Sequence, residues 1–204
     1  LFRSANKWTT IAVPSCWELQ GFGKYDYGFA KDSIRGKEKG LYKHTFNVPA
    51  AWKNKVVNIV FEGVMTDAEV KVNGKLAGEV HQGAFYAFKY DISKLLQYGK
   101  VNLLEVTVAK HSANQSVNEA ERKADFWIFG GIFRPVWLEI LPKNHILSIG
   151  FDAQASGLFS GGFSTNISLL DCDFASVTIK DAAGKLIDTI YGNPIGFNIG
   201  NFIF

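Results

Sequence analysis

The 204-residue sequence is short of most of the residues that announce a particular chemistry. Its two cysteines, Cys16 and Cys172, stand far apart with no CxxC pair or histidine neighbour, which argues against a zinc-type ligand set. A disulfide between them would have to cross most of the chain, so two free buried thiols are the expectation. No apolar run approaches the ~20 residues that span a bilayer, so no membrane partner is expected. The first residues, LFRSANKW, lack the apolar stretch of a signal peptide and include no initiator Met. The sequence therefore reads as an internal part of a longer protein. A leader upstream would make that protein periplasmic or extracellular, and its lack would make it cytoplasmic.

Charge of one sign is scarce too. Lys and Arg number 22 against 19 Asp and Glu, for a net +3. The densest cluster, RGKEKG at 35–40, is interrupted by Glu38 and two glycines, which suits a solvated loop better than a phosphate-binding patch. Nucleic acid is not an expected partner. Neither GxGxxG nor GxxxxGK[ST] occurs, and there is no GxSxG nucleophile turn. The four histidines are scattered, and His44 falls on the apolar phase of its segment, where a hydrogen-bonded interior side chain is the default. Asn118-Glu119, a dipeptide of the kind that carries glycosidase acids, sits in a polar stretch read as a solvated loop. No catalytic residue is assigned, and no acidic cluster demands a structural calcium, although jelly-roll folds can carry one.

What the sequence does have is period-two patterning and aromatic rings. In LYKHTFNV, Tyr42, His44, Phe46 and Val48 share a face, and Pro49 ends the run. VVNIVFEGV groups Val57, Ile59 and Phe61. AEVKVNGKLAGEV alternates Val70 and Val72 with Glu69 and Lys71 before Asn73-Gly74, the dipeptide of a type I′ hairpin turn. LLEVTVAK and RPVWLEIL supply further strands. The one short helical candidate is DISKLLQYG, with Asp91 or Ser93 as cap and Gly99 as stop. Short strands with almost no helix predict an all-β chain, with a jelly-roll β-sandwich over 1–143. Past PKNH the alternation resumes, with KDAAGK as a hairpin loop between SVTI and LIDTI. The expectation for 144–204 is an incomplete immunoglobulin-like β-sandwich, since about 60 residues fall short of the roughly 100 such a domain needs.

Two stretches stand out. PSCWELQGFGKYDYGF, residues 14–29, sets Trp17, Phe22, Tyr25, Asp26, Tyr27 and Phe29 among glycines, as in a long ordered loop. Aromatic faces beside carboxylates suit pyranose rings, which makes Trp17 and Tyr27 candidate sugar contacts. The competing reading is that Trp17 and Phe22 anchor the loop to the core. The second stretch, ADFWIFGGIFRPVWLEIL at 124–141, alternates Val136, Leu138 and Ile140 behind Gly130-Gly131, where a bend or a close backbone approach is allowed. Most of it reads as scaffold.

VPSCWELQGFG, GLYKHTFNVPAAW, VVNIVFEGVMTDAEVKVNGKLAG, FKYDIS, NLLEVTVAK and DFWIFGGIFRPVWLEI, in that order, resemble the N-terminal sugar-binding domain of glycoside hydrolase family 2. That family includes β-galactosidases, β-glucuronidases and β-mannosidases, and PSCWELQGFG looks more like the β-galactosidase branch. The resemblance implies a jelly roll, then an immunoglobulin-like domain, then a (β/α)8 barrel that carries both catalytic glutamates. The partners so implied are that barrel and an oligosaccharide with a terminal β-linked sugar. In β-galactosidases an asparagine after the W-x-x-x-G motif and an aspartate after the strand matching VTVAK reach the active site. Here YDYGFAKDS has no matching asparagine, and HSANQS puts Ala113 or Asn114 where the aspartate falls. The resemblance thus points to Asp26 and Asn114 as sugar contacts, and to Asp125, Trp127, Gly131 and Arg134 as structural. Asp125 and Arg134 would tie their loop to the fold or to a neighbouring domain. A bracing domain predicts no affinity of these residues alone for a glycan, an autonomous carbohydrate-binding module predicts measurable affinity, and a purely structural sandwich would hold loops 17–35 and 111–125 at opposite ends.

Overall fold

The computed structural model describes residues 2–4, 7–30, 37–155, 160–192 and 201–203. Contacts divide the chain into two compact units, Leu1–Ile140 and Leu141–Phe204. In chain order the first holds β1 (Phe2–Ser4), β2 (Lys7–Thr9), β3 (Asp26–Tyr27), β4 (Lys39–Val48), β5 (Val56–Phe61), β6 (Asp67–Val72), β7 (Lys75–Leu76), β8 (His81–Gln82), β9 (Phe88–Asp91), β10 (Lys100–Ala109), helix α1 (Gln115–Glu121), β11 (Trp127–Ile128) and β12 (Val136–Leu141). The all-β expectation holds.

A seven-stranded sheet runs β2-β1-β4-β10-β6-β7, with β8 also on β6, and a second sheet runs β12-β5-β9. Alternation explains why they face each other. On β10, Leu104, Val106 and Val108 point inward with Val70 and Val72 of β6, and meet Val57, Ile59 and Phe61 of β5 in one apolar cluster. On the outer phase Glu105 lies opposite both Lys43 and Lys71, and its carboxylate takes Lys43 at 2.9 Å. The Asn73-Gly74 turn joins β6 to β7 as expected, with φ of 52° and 79°.

Three expectations fail here. DISKLLQYG forms turns instead of a helix. Asp91 Oδ1 accepts from Ser93 N at 2.9 Å, and Ser93 Oγ in turn accepts Val57 N, so the capping side chains serve the sheet. The helix lies in the supposed loop at 115–121, where Asn114 Oδ1 accepts Ser116 N at 3.0 Å as its N-cap. His44 is exposed although Tyr42 and Val48 on its face are buried, because β1 covers β4 only at Leu41 and Tyr42. It stands at a cleft of about 360 Å³ lined by Ile11, Val13, Phe61 and Val136.

The second unit consists of β13 (His145–Ala155), β14 (Ser160–Leu170) and β17 (Asn201–Ile203) in one sheet, with a separate hairpin of β15 (Ala175–Lys180) and β16 (Leu186–Gly192). The hairpin loop at 181–185 is where KDAAGK put it. Both cysteines are free, as expected, but each is half-buried rather than fully buried.

Candidate functional site

The strand phase that fills the core also carries a charge into it. Lys110 follows Leu104, Val106 and Val108 at the same period and is wholly buried. A buried ammonium is tolerable only when paired. Its Nζ lies 2.8 Å from Glu18, 3.1 Å from Asp26 and 3.1 Å from Glu38, and it donates to the Lys24 carbonyl as well. Burial alone would lower its pKa, but the hydrogen bonds and charges of Glu18 and Glu38 outweigh this and hold it above the ordinary lysine value. One cation thus gathers three segments that are remote in sequence.

Glu18 continues the network. Its carboxylate accepts the Gly130 N–H, while the backbones of Trp17 and Gly130 bond at 3.0 Å. A Cβ on Gly130 would fall 2.1 Å from the Trp17 ring, and Gly131 has a φ of 121°. The two glycines therefore permit the close approach that the sequence suggested. Nearby Arg122, only 1% exposed, donates through Nε to Thr66 Oγ1 at 2.6 Å, and Thr66 Oγ1 donates to the Lys110 carbonyl. Burial lowers the Arg122 pKa to about 10, which leaves it charged at neutral pH.

Loops 17–30 and 109–128 meet at one end of the sandwich. β3 pairs β11 through Trp127↔Tyr27 and Ile128↔Asp26, Gly28 N donates to the Phe126 carbonyl at 2.8 Å, and the Tyr27 hydroxyl hydrogen-bonds Asp125. That hydrogen bond raises the Tyr27 pKa. Asp26 Oδ2 also lies 3.7 Å from His111 Nε2. His111 opens onto a cleft of about 380 Å³ lined with Lys37, Lys39, Asp67, Gln115 and Glu119. Asp67 is 6% exposed, and its Oδ2 accepts Ala113 N at 2.7 Å, whereas its Oδ1 has no partner among the described residues.

Of the residues proposed from sequence, Asp26 sits beside this cleft, buried and committed to Lys110. Trp17 does not fit a sugar contact, because it is 1% exposed and packs on Phe2 with a ring separation of 5.9 Å. The anchor reading holds for it. Asn114 caps α1, and Tyr27 is half-buried against Trp127. Asp125 ties its loop through Tyr27. Arg134 is exposed and reaches the Glu62 and Phe85 carbonyls at 3.3 and 3.2 Å, which ties its loop to the fold. Trp127, expected to be scaffold, is 56% exposed. Glu119 pairs with Lys123 at 2.9 Å on the outside of α1, while Asn118 clamps Ser112 on both sides, so this dipeptide holds the helix. Sequence reasoning missed Lys110, Glu18, Arg122 and Asp67. The period-two phase of β10 was the available signal for Lys110.

A two-sheet antiparallel sandwich whose loops meet at one end beside a cleft places the chain among β-sandwich domains. Residues 3–142 match the model of the family described as glycosyl hydrolases family 2, sugar binding domain, so the chain belongs to that family. It is 40% identical over 111 residues to a β-galactosidase of Thermoanaerobacter pseudethanolicus, covering 54% of this chain and 15% of that protein. Over 201 residues it is 29% identical to a β-galactosidase of Psychromonas ingrahamii, covering 93% and 19%. The chain thus spans less than a fifth of the length of these relatives. Among solved structures it superposes on a calcium-binding mutant of Bacteroides uniformis β-glucuronidase 2 with a TM-score of 0.69 and 27% identity, over 97% of this chain and 24% of that one. A Ruminococcus gnavus β-glucuronidase, 22% identical with a TM-score of 0.68 over 95% and 33% of the two chains, shares the fold. Among the described residues no group of three His, Cys, Asp or Glu side chains is placed to hold a metal ion.

Proposed function

We propose that this chain is the non-catalytic sugar-binding part of a retaining, exo-acting β-glycosidase of the β-galactosidase type. In this reading 1–143 braces a (β/α)8 barrel and lends loops 17–30 and 109–128 to its substrate pocket, while 144–204 begins an immunoglobulin-like domain. The two carboxylates of the chemistry, held ~5 to 5.5 Å apart in retaining enzymes, belong to the barrel. The observation that carries the reading is that the two loops meet at one end of the sandwich, through the Lys110–Asp26 ion pair and the β3–β11 pair, with the second loop lining a cleft there, where a purely structural sandwich would keep the loops apart. His111 and Gln115, which line this cleft, offer it the donors and acceptors that sugar hydroxyls pair with.

The test is hydrolysis of chromogenic β-galactosides and β-glucuronides. The 204 residues alone should leave them intact, and the chain joined to the remainder of its coding sequence should cleave one of them. In the joined protein His111→Ala should raise KM about tenfold with a smaller change in kcat, as expected for a group that binds rather than reacts. Turnover by the 204 residues alone, or a KM untouched by the substitution, would overturn the reading.

A further inference from the structure

His111 stands between the cleft and a buried cluster of charge. Its side chain is 16% exposed and lines the cleft, while Nε2 lies 3.7 Å from Asp26 Oδ2. The same Oδ2 takes the Lys110 ammonium at 3.1 Å, so one carboxylate oxygen faces both a permanent cation and a titratable ring. Asp26 is only 7% exposed, and water screens this contact far less than it would a surface pair.

The charges around the ring do not cancel without it. Lys110 meets three carboxylates, those of Glu18, Asp26 and Glu38, and the first two are more than nine-tenths buried. Arg122, the other buried cation among the described residues, feels Glu18 but also Glu121 and Asp67, so it does not remove the excess. The remaining charges of the cleft lining are Asp67 and Glu119 on the acidic side and Lys37 and Lys39 on the basic side. Glu119 is held by Lys123, and both lysines are exposed, where solvent screens them. Lys110 opposes a charge on the ring, but Glu18 and Glu38 offset its ammonium at 2.8 and 3.1 Å. A buried negative excess favours a proton on a neighbouring group that can take one. His111 is such a group, with a charge change that falls near neutrality.

We infer that Asp26 is a positioning residue for the cleft: facing His111, it holds an imidazolium in the cleft wall at neutral pH, against which a ligand presents oxygen acceptors. The inference rests on the proposed function for the identity of that ligand, a sugar, and it adds how binding is regulated. While the ring is charged, the wall attracts the hydroxyl and ring oxygens of the sugar. Once the proton leaves, that attraction weakens. Asp26 acts through the ring, since its own carboxylate is buried against Lys110.

Imidazole NMR titration of the 204-residue chain tests the charge, with the His111 signal identified by its loss in His111→Ala. Its midpoint should lie above about pH 7.5, against about 6.5 for an unperturbed histidine. Asp26→Asn, which keeps the shape and removes the charge, should bring the midpoint to about 6.5 or below, and Asp26→Glu should keep it high. A midpoint at or below about pH 6.5 in the unaltered chain overturns the inference, even if Asp26→Asn fails to fold. A high midpoint that survives Asp26→Asn overturns it as well. In the joined protein KM should rise about tenfold as pH passes the His111 midpoint, and that rise should move to lower pH in Asp26→Asn. A KM indifferent to the midpoint overturns the positioning role. If the joined protein cleaves no glycoside, the proposed function falls, and the imidazole titration alone then decides this inference.

Discussion

The described residues of 2–140 and of 145–203 are both built on antiparallel strands, yet the two units treat their strands differently. In the first unit β10 has partners on both edges and an apolar cluster beneath it, with Val108 and Val72 fully buried. In the second, β13 pairs with β14 but shows solvent on both phases: Ile146, Leu147, Ile149 and Phe151 are all more than half exposed. Hydrogen bonding is satisfied in each case. Burial separates the two units, and burial supplies most of the free energy of folding. On β14 Thr165 and Ile167 are buried, but a sheet whose other long strand is bare on both phases is marginal until another layer covers it.

The sharpest way to break that contrast is amide hydrogen exchange. The amides of Leu104 and Val106 should outlast those of Ile149 and Phe151 by about a thousandfold, since opening costs most where burial is greatest. Equal protection would show that the second unit is as cooperative as the first. Next in size is Lys110→Met, which strands Glu18, Asp26 and Glu38 around an apolar side chain and should destabilise the first unit by about 3–5 kcal/mol. Denaturant melts should show the first unit's transition moving while the second unit's exchange pattern stays as it was. The smallest effect concerns pH. His81 stacks on Phe88 at 3.8 Å, and burial lowers its pKa below the usual histidine value despite the Gly83 carbonyl at 2.9 Å. Above about pH 6.5 folded and unfolded chains are both neutral there. Below it the unfolded chain takes up a proton that the folded one resists, so stability falls with pH. The first unit's melting temperature should therefore drop between about pH 6.5 and 5, and His81→Phe should flatten the drop.

Much of this contrast could be read in the residues. Alternation gave the strands of both units, Asn73-Gly74 gave its turn, and Gly130-Gly131 announced a close approach. Period two tells which side chains share a face, not whether that face is covered, and for this reason His44 and β13 came out exposed. The helix at 115–121 hid in a polar stretch because its cap, Asn114, and its clamp, Asn118, are residues that also favour loops. In the candidate site, the resemblance singled out Asp26 as a sugar contact, and the structure buries it against Lys110. Lys110 was not legible, since its meaning depends on carboxylates 72, 84 and 92 positions away in the chain, at Glu38, Asp26 and Glu18.

The two glycine-tipped hairpins differ in what each would tolerate. Asn73 is sewn into its surroundings: its side chain donates to the Leu95 carbonyl and to Asn102, and accepts Leu103 N at 2.9 Å. Among the described residues the 181–185 loop is held by its own Asp181, which accepts from Ala183 and Lys185, and Gly184, like Gly74, has open space around it. A fluorophore or affinity tag spliced in at Gly184 disturbs a single self-contained turn, whereas the same graft at Gly74 pulls on the loop that closes the sandwich, which makes position 184 the natural handle for watching this protein at work.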